Sequence, residues 1–254
     1  QHFVALHIPV LGIEPAGDAA ALAEGIGVPT RVMFFDETSA ITLSKEGIAA
    51  DLMVANNVLA HVPNIRSFFA GFKTLMNPNG VATFEFPHIA SLLSSVQFDT
   101  IYHEHYSYLS LTFLEKLVSE IGMSIFDVEK LSTHGGSLRV FICHPDAHAK
   151  SSVVDHILAQ EVAMELDKPS GYEGFTAKVN KVTSDFLIFL ADAKLQGKTV
   201  AGYGAAAKGN TFLNVAKVGA SDLDFVVDLN VQKQGKLLPG SHIPIMSPKK
   251  IKEL

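Results

Sequence analysis

The chain has 254 residues, 48% hydrophobic and 18% charged, which is the composition of one large globular domain or two modest ones with a sizeable core. Its formal net charge is −6 and it has no long basic run, which argues against nucleic acid as the main partner. Because Cys143 is the single cysteine, this chain alone cannot build a disulfide framework or a cysteine zinc site, and we expect a protein of the reducing cytoplasm. The sequence has no apolar stretch of about 18 residues, so we predict no membrane span.

The first part of the chain alternates strand and helix patterns. A turn is expected at Asn77–Gly80, where Asn-Pro-Asn-Gly interrupts the apolar pattern. Such alternation is typical of a parallel, doubly wound sheet. The predicted strands span residues 9–14, 31–36, 51–56 and 81–86, and the predicted helices span residues 16–27 and 65–76.

The second part begins with a hairpin and then returns to the alternating pattern. The hairpin strands are predicted at residues 123–131 and 137–144, joined through Gly135 and Gly136.

We predict two α/β domains, residues 1–150 and 151–254. Because the chain opens in the middle of a pattern at Gln1 and closes on the start of a predicted helix at Ser247–Leu254, we expect a fragment of a longer protein. Further helices are predicted at residues 112–121, 151–168, 174–196 and 205–217, with strands at 198–202 and 223–228.

Polar side chains follow the first and third predicted strands. Glu14 ends the first strand, where an acid can accept hydrogen bonds from ribose hydroxyls or, alternatively, interact with the dipole of the next helix. Asn56 and Asn57 leave the third strand, and His61 follows them. The alternative has Asn56 ending the strand and His61 capping a helix. We favour a binding edge because several polar residues share the carboxyl ends of parallel strands.

The run Tyr102-His103-Glu104-His105 lies in an otherwise apolar neighbourhood. A Tyr, a Glu and two His can act as general acid, general base and orienting group near neutral pH. In an extended segment His103 and His105 would face one side and Glu104 the other, whereas in a helix the two His would diverge. The competing interpretations are a His-rich surface loop and a two-His metal site, but the metal site needs a distant third ligand, so we predict no metal.

Two glycine-containing turns complete the polar features. Thr133–Ser137 is either a plain hairpin turn or a polar site, with Arg139 on the following strand able to meet a phosphate or carboxylate. A second turn follows a strand and opens a helix, which is the context in which backbone N–H groups bind phosphate. The alternative is a turn that only packs closely. The predicted substrate-binding residues there and in the segments that follow are Gly202, Gly204, Lys208, Asn210, Asp228 and His242.

Together these segments resemble the S-adenosylmethionine-dependent sugar C-methyltransferases, which act on nucleotide-linked keto-deoxysugars. The matching segments lie in order over nearly the whole chain. They are Gly12–Pro15 (GIEP), Asn56–His61 (NNVLAH), Phe98–Tyr106 (FDTIYHEHY), Thr133–Ser137 (THGGS), Gly202–Asn210 (GYGAAAKGN) and Pro239–Pro244 (PGSHIP).

The resemblance implies a class I methyltransferase sheet of the Rossmann type followed by a second Rossmann-like domain. It also implies a zinc-binding N-terminal domain and a glycine-rich cofactor loop, both of which would lie upstream of this chain. In the family pattern Glu14, Asn56 and Asn57 would bind S-adenosylmethionine. His105 would remove the proton beside the sugar ketone.

The remaining implied roles concern the enolate and the substrate. Tyr102, Glu104 and His61 would orient groups, relay protons or stabilise the enolate oxygen, and Lys208 with its turn would bind the nucleotide diphosphate. We expect a monomer or weak dimer. Two alternatives remain open: a non-catalytic nucleotide-sugar-binding remnant, and a methyltransferase for another small keto acceptor.

Overall fold

The computed structural model describes residues 2–253, and the chain divides by packing into two compact units. The first unit runs up to His88 and continues over Tyr106–Ala163, whereas the second comprises Ile89–His105 and the chain from Met164 onward. The segment Ile89–His105, which belongs to the predicted domain 1–150, therefore packs with the second unit. The domain boundary between residues 150 and 151 stays a prediction.

The helices and strands follow one another in an order close to the predicted one. Up to the hairpin they are α1 (His2–Ala5), β1 (Gly12–Ile13), α2 (Gly17–Gly25), β2 (Thr30–Arg31), α3 (Glu37–Lys45), β3 (Ala50–Asn56), α4 (Ile65–Leu75), β4 (Met76–Pro87), α5 (Ile89–Ser94) and α6 (Leu111–Ile121). From the hairpin onward they are β5 (Ser124–Leu131), β6 (Ser137–Cys143), α7 (Ser152–Ala163), α8 (Phe175–Leu195), β7 (Ala201–Tyr203), α9 (Ala207–Val215), β8 (Phe225–Val227) and β9 (Ile245–Met246).

The first unit contains a mixed sheet of order β3-β4-β6-β5 and a separate parallel pair, β1 and β2. β3 and β4 are parallel, whereas β6 is antiparallel to both β4 and β5. The predicted hairpin is thus confirmed, as is the parallel direction within each of the two early strand pairs. Ile13 of β1 and Met53 of β3 pack against the same buried side chains, Ala40, Leu43 and Leu75.

Some predicted elements differ from the structure. The strands predicted at residues 9–14 and 31–36 are each only two residues long, and after the second of them Asp36 forms a capping box with Ser39 and begins α3. The turn predicted at Asn77–Gly80 lies inside β4 as an irregularity, where Ala50 pairs with Met76 but Leu52 already pairs with Val81. Extra residues in one strand are accommodated as a bulge instead of ending the ladder.

The part of the first unit's core that lies between α4 and the sheet is aromatic. The helical spacing of the apolar residues in α4 predicted this face, and Phe68, Phe69 and Phe72 are all buried. The rings of Phe69 and Phe72 lie with their centroids 4.7 and 4.6 Å from that of Phe84 on β4. Each such ring pair contributes about 0.5–1.5 kcal/mol to stability beyond the burial of its apolar area, so these pairs stabilise the packing of α4 on β4.

The second unit contains a parallel sheet of order β7-β8-β9. The β7–α9–β8 succession gives this unit its Rossmann-like character, as predicted. Leu213 of α9 and Val226 of β8 belong to its apolar core. The predicted C-terminal helix appears as a 3₁₀ helix at Pro248–Glu253, and Leu254 lies outside the described residues. Among residues 2–253, no helix has the length and hydropathy needed to cross a membrane.

Candidate functional site

Glu14 lies directly after β1, as the sequence predicted, and its side chain is half-buried. Its Oε1 accepts the N–H of Ala16 at 2.8 Å, immediately before α2, so the carboxylate also interacts with the start of that helix. The two interpretations of Glu14 therefore do not compete. A carboxylate fixed at a strand end has oxygen lone pairs that suit ribose hydroxyls.

Asn56 and Asn57 lie at the carboxyl end of β3 and are exposed. Asn57 adopts a left-handed backbone conformation with φ of 57°, and its N–H donates to the carbonyl of Glu85 at 2.6 Å. Residues other than glycine seldom adopt such a φ, although Asn does so more readily than most, and backbone positions of this kind cluster at functional sites. His61 ends the following 3₁₀ turn, which Leu59 anchors because it is fully buried.

Sequence reasoning missed Glu85, a buried acid on β4 that organises this edge of the sheet. Its carboxylate accepts the hydroxyl of Thr133 at 2.9 Å and pairs with Arg139 at 3.0 Å. Arg139 also pairs with Glu129 at 3.2 Å, so the carboxylates that it meets belong to the protein itself. The Thr133–Ser137 turn is thereby tied to the strand that neighbours Asn57, a long-range contact with no local sequence signal.

The Tyr102–His105 run forms a turn in the second unit, so it is neither the extended segment nor the helix for which the directions of His103 and His105 are predicted. The ring of Tyr102 packs on that of His105 with centroids 4.3 Å apart. His105 Nδ1 lies 2.9 Å from the carbonyl oxygen of Thr100. Since a carbonyl oxygen only accepts, Nδ1 carries the hydrogen, and the lone pair of neutral imidazole is on Nε2.

Tyr102 keeps its phenolic proton over the physiological range. Burial raises the pKa of Tyr102, and the nearby carboxylates of Glu104 and Asp99 raise it further. A protonated phenol is a hydrogen-bond donor, and a donor is what a developing oxyanion requires. Glu104 itself is exposed.

The run shares its unit with the glycine-containing turn Gly202–Asn210. Phe98, just before the run, is buried and packs on Phe212 of α9 with ring centroids 5.5 Å apart. Gly204 has a φ of 97° and open space where a Cβ would lie, which allows close approach to the start of α9. Lys208 lies in the first turn of that helix, as predicted.

Two predicted substrate-binding residues have distinct environments. Asn210 Oδ1 is buried and has no hydrogen-bond partner among residues 2–253, so it is an acceptor with unused capacity. Asp228 accepts the N–H groups of Ala205 at 2.7 Å and Asn230 at 2.8 Å. Backbone hydrogen bonds from Asn230 and Ala205 lower the pKa of Asp228, with Lys233 adding to the effect. Asp228 therefore shapes the loop after β7.

His242 is exposed, with a φ of 56°, in the segment between β8 and β9. The predicted residues thus fall into two groups, and each group belongs to one unit. Within residues 2–253, no cluster of three or more His, Cys, Asp or Glu side chains has a metal-binding arrangement. The first-unit group is Glu14, Asn56, Asn57 and His61; the second-unit group is Tyr102, Glu104, His105, Gly202, Gly204, Lys208, Asn210, Asp228 and His242.

Comparison with known protein families covers nearly the whole chain. Residues 1–128 match the model of a methyltransferase domain, and residues 132–254 match that of the C-methyltransferase C-terminal domain. The chain belongs to the C-methyltransferase family. The predicted family is confirmed at this level, and so is the Rossmann-like class I methyltransferase fold.

A relative within this family covers almost all of the chain. The C-methyltransferase NovU of Streptomyces niveus is 36% identical over 241 residues, which are 94% of this chain. The chain spans only 57% of the length of NovU.

Solved structures of other methyltransferases are more distant. A structure of an S-adenosylmethionine-dependent methyltransferase from Anabaena variabilis is 12% identical, with 56% of this chain and 71% of that chain covered and a TM-score of 0.43. The Burkholderia thailandensis 1,6-didemethyltoxoflavin-N1-methyltransferase is 15% identical, with 57% and 65% covered and a TM-score of 0.40. Likeness at this level carries no conclusion about the site.

Proposed function

We propose that this C-methyltransferase transfers a methyl group from S-adenosylmethionine to the carbon beside the ketone of a nucleotide-linked deoxysugar, with His105 as the base. The observation that carries the proposal is the contact between His105 Nδ1 and the carbonyl of Thr100 at 2.9 Å. It holds the ring in the tautomer whose Nε2 can accept a proton. We also propose that the protein is cytoplasmic and is a monomer or weak dimer.

The methyl donor is assigned to residues of the first unit. Glu14 follows a strand and carries a half-buried carboxylate, which suits the hydroxyls of a ribose. Asn56 and Asn57 offer exposed amide groups at the end of β3, and the backbone of Asn57 is in the left-handed conformation. When bound, S-adenosylmethionine supplies an electrophilic methyl group on a positively charged sulfur.

The acceptor is assigned to residues of the second unit. His105 Nε2 removes the proton from the carbon next to the ketone, and the electron pair of the C–H bond moves to give an enolate. That enolate carbon would be the nucleophile for the methyl group that bound S-adenosylmethionine would supply, with the thioether sulfur as the leaving group. A general base of this kind contributes about 10²–10⁴-fold to rate.

Tyr102 is assigned as a donor to the enolate oxygen. Its raised pKa keeps the hydroxyl protonated while His105, whose ring lies against it, takes up the proton. Glu104 and His61 are assigned to orienting groups or relaying protons.

The nucleotide part of the substrate is assigned to the Gly202–Asn210 turn. Gly204 and the start of α9 provide backbone N–H groups for a diphosphate, and Lys208 adds a positive charge. Asn210, whose Oδ1 has no hydrogen-bond partner among the described residues, is assigned to the same group. Asp228 and His242 complete the assigned group at the loops after β8.

The test follows the exchange of the substrate proton with solvent deuterium in the full chain, by NMR, with a nucleotide-linked 4-keto-deoxysugar. We expect exchange in the wild type and a loss of about 100-fold or more in His105→Asn. His103→Asn is the matched control, since His103 is exposed in the same turn. Exchange at the wild-type rate in His105→Asn would remove His105 from the role of base.

A calorimetric titration separates this proposal from its alternatives. The proposal expects the full chain to bind both S-adenosylmethionine and a nucleoside diphosphate. Binding of the nucleoside diphosphate without the methyl donor would indicate a non-catalytic nucleotide-sugar-binding protein. Methyl transfer to a small keto acid that carries no nucleotide would indicate the other acceptor class.

A further inference from the structure

Glu161 on α7 is the most deeply buried acid among the described residues, with 1% of its surface exposed. The proposed chemistry does not use it. Burying a carboxylate without partners is costly, so its environment must supply several hydrogen bonds. Each of its partners belongs to the first unit.

Four donors meet the two oxygens of Glu161. Oε1 accepts from His88 Nε2 at 2.6 Å and from the N–H of Leu111 at 2.7 Å. Oε2 accepts from the N–H of Thr112 at 2.7 Å and from its hydroxyl at 2.6 Å. Burial raises the pKa of Glu161, but the hydrogen bonds from His88, Thr112 and Leu111 outweigh it and hold the pKa below its usual range.

The partners of Glu161 mark both ends of one segment. The chain leaves the first unit after His88 and returns at Tyr106, and the segment between them carries the Tyr102–His105 run. His88 precedes this segment and forms a parallel bridge with Leu109, which follows it. Glu161 thus ties His88, the residue before this segment, to the first residues of α6, which follow the segment.

We infer that Glu161 and His88 are positioning residues, which fix both ends of the segment Ile89–His105 and thereby set the placement of the proposed base, His105. The inference rests on the proposed function for the role of His105. A misplacement of about 1 Å by a distant change lowers catalysis by about 100-fold, so a buried anchor has a measurable effect.

A plain helix cap does not account for the whole arrangement. Ser110 already caps α6 through the N–H of Phe113 at 3.1 Å, and Glu161 adds the N–H groups of Leu111 and Thr112. Capping needs nothing from His88, which comes from the other end of the segment. The His88 contact is therefore the part of the arrangement that distinguishes positioning from helix stability.

The test compares variants of His88 with a control on the same carboxylate. His88→Leu and the milder His88→Asn both lose the Nε2 donor, whereas His88→Gln keeps a nitrogen at the corresponding position. Thr112→Val removes one 2.6 Å hydrogen bond to Glu161 but leaves both backbone N–H anchors. Solvent deuterium exchange at the substrate carbon gives kcat and KM, and amide hydrogen exchange reports on residues 89–105 in the full chain.

We expect His88→Leu and His88→Asn to lower kcat by about 10- to 100-fold with KM changed less than about twofold. Amide exchange in residues 89–105 should quicken in both. His88→Gln should recover most of kcat, and Thr112→Val should stay near the wild type. If His88→Leu does not fold, His88→Asn decides by the same two measurements.

Wild-type kcat and unchanged amide exchange in a folded His88→Asn would overturn the inference. A loss of kcat in Thr112→Val equal to that in His88→Asn would overturn it as well, since stability alone would explain both. An inactive wild type would instead contradict the proposed function. The amide exchange of residues 89–105 would then still test the anchoring.

Discussion

Glu161→Gln is the sharpest perturbation of stability that the structure offers. The substitution keeps size and shape but replaces one carboxylate oxygen with an NH₂ group. If Nε2 takes the place of Oε1 it faces the N–H of Leu111, and if it takes the place of Oε2 it faces the N–H of Thr112. His88 or the Thr112 hydroxyl can reverse its role, but a backbone N–H cannot. One buried backbone donor is therefore left unsatisfied in either orientation.

The expected cost follows from these contacts. An unsatisfied buried donor costs about 1–3 kcal/mol, and the retained hydrogen bonds lose their charge assistance. The interaction of a negative charge with the start of α6, worth about 0.3–2 kcal/mol, also disappears. The lower desolvation cost of a neutral side chain offsets part of this. We expect a loss of about 3 kcal/mol in the free energy of unfolding at pH 7.

Urea denaturation followed by circular dichroism measures this change, and amide exchange in α6 assigns the transition to the first unit. Glu115→Gln is the control, because it removes the same charge from an exposed ion pair with Lys150 and should cost less than about 1 kcal/mol. A loss below about 1 kcal/mol in Glu161→Gln would refute the reasoning.

The pH dependence gives an independent check. The pKa of Glu161 is lowered in the folded chain, so its contribution is complete above the ordinary Glu range, about pH 4–5, and is lost as the pH falls through the folded value. The difference between wild type and Glu161→Gln should therefore be largest at pH 7 and shrink toward pH 3. A difference that stays constant would show that the charge of Glu161 contributes nothing.

Two further predictions concern residues with a positive backbone φ, Asn57 and Gly240. Asn57→Gly should keep or slightly raise stability, because Gly tolerates φ of 57°, yet weaken S-adenosylmethionine binding in a calorimetric titration; unchanged binding would exclude the Asn57 side chain from the site. Gly240→Ala should destabilise the second unit more than Gly235→Ala by at least about 1 kcal/mol in urea denaturation. Both glycines have positive φ, but a Cβ at Gly240 would collide with Asn214 Oδ1, whereas the space at Gly235 is open. Rotating Asn214 away would break its hydrogen bonds to the carbonyls of Asn210 and Pro239, so equal losses in the two variants would contradict this packing.

Local patterns predicted the elements whose side chains repeat regularly. The spacing of Phe68, Phe69 and Phe72 predicted the buried face of α4, and Gly135 with Gly136 predicted the hairpin of β5 and β6. The strand–turn–helix pattern at Gly202–Asn210 predicted the start of the Rossmann-like part of the second unit. These features depend on residues that are close in sequence.

Features that depend on distant residues could not be predicted. Glu161 lies in a helix of mixed composition, and its partner His88 is 73 residues away, so no local pattern marks either residue. Glu85 meets Thr133 and Arg139 across about fifty residues for the same reason. The packing of Phe98 on Phe212, which places the Tyr102–His105 run in the second unit, is likewise a tertiary contact.

Methyl transfer itself is the most direct test of the proposed function. The full chain would be mixed with S-adenosylmethionine labelled with carbon-13 in its methyl group and a nucleotide-linked 4-keto-deoxysugar, and the product would be followed by NMR. The proposal predicts a new carbon-bound methyl signal on the sugar, at the carbon beside the ketone, and its loss in His105→Asn. A labelled methyl group on oxygen or nitrogen, or a carbon-bound methyl signal of wild-type intensity in His105→Asn, would contradict it.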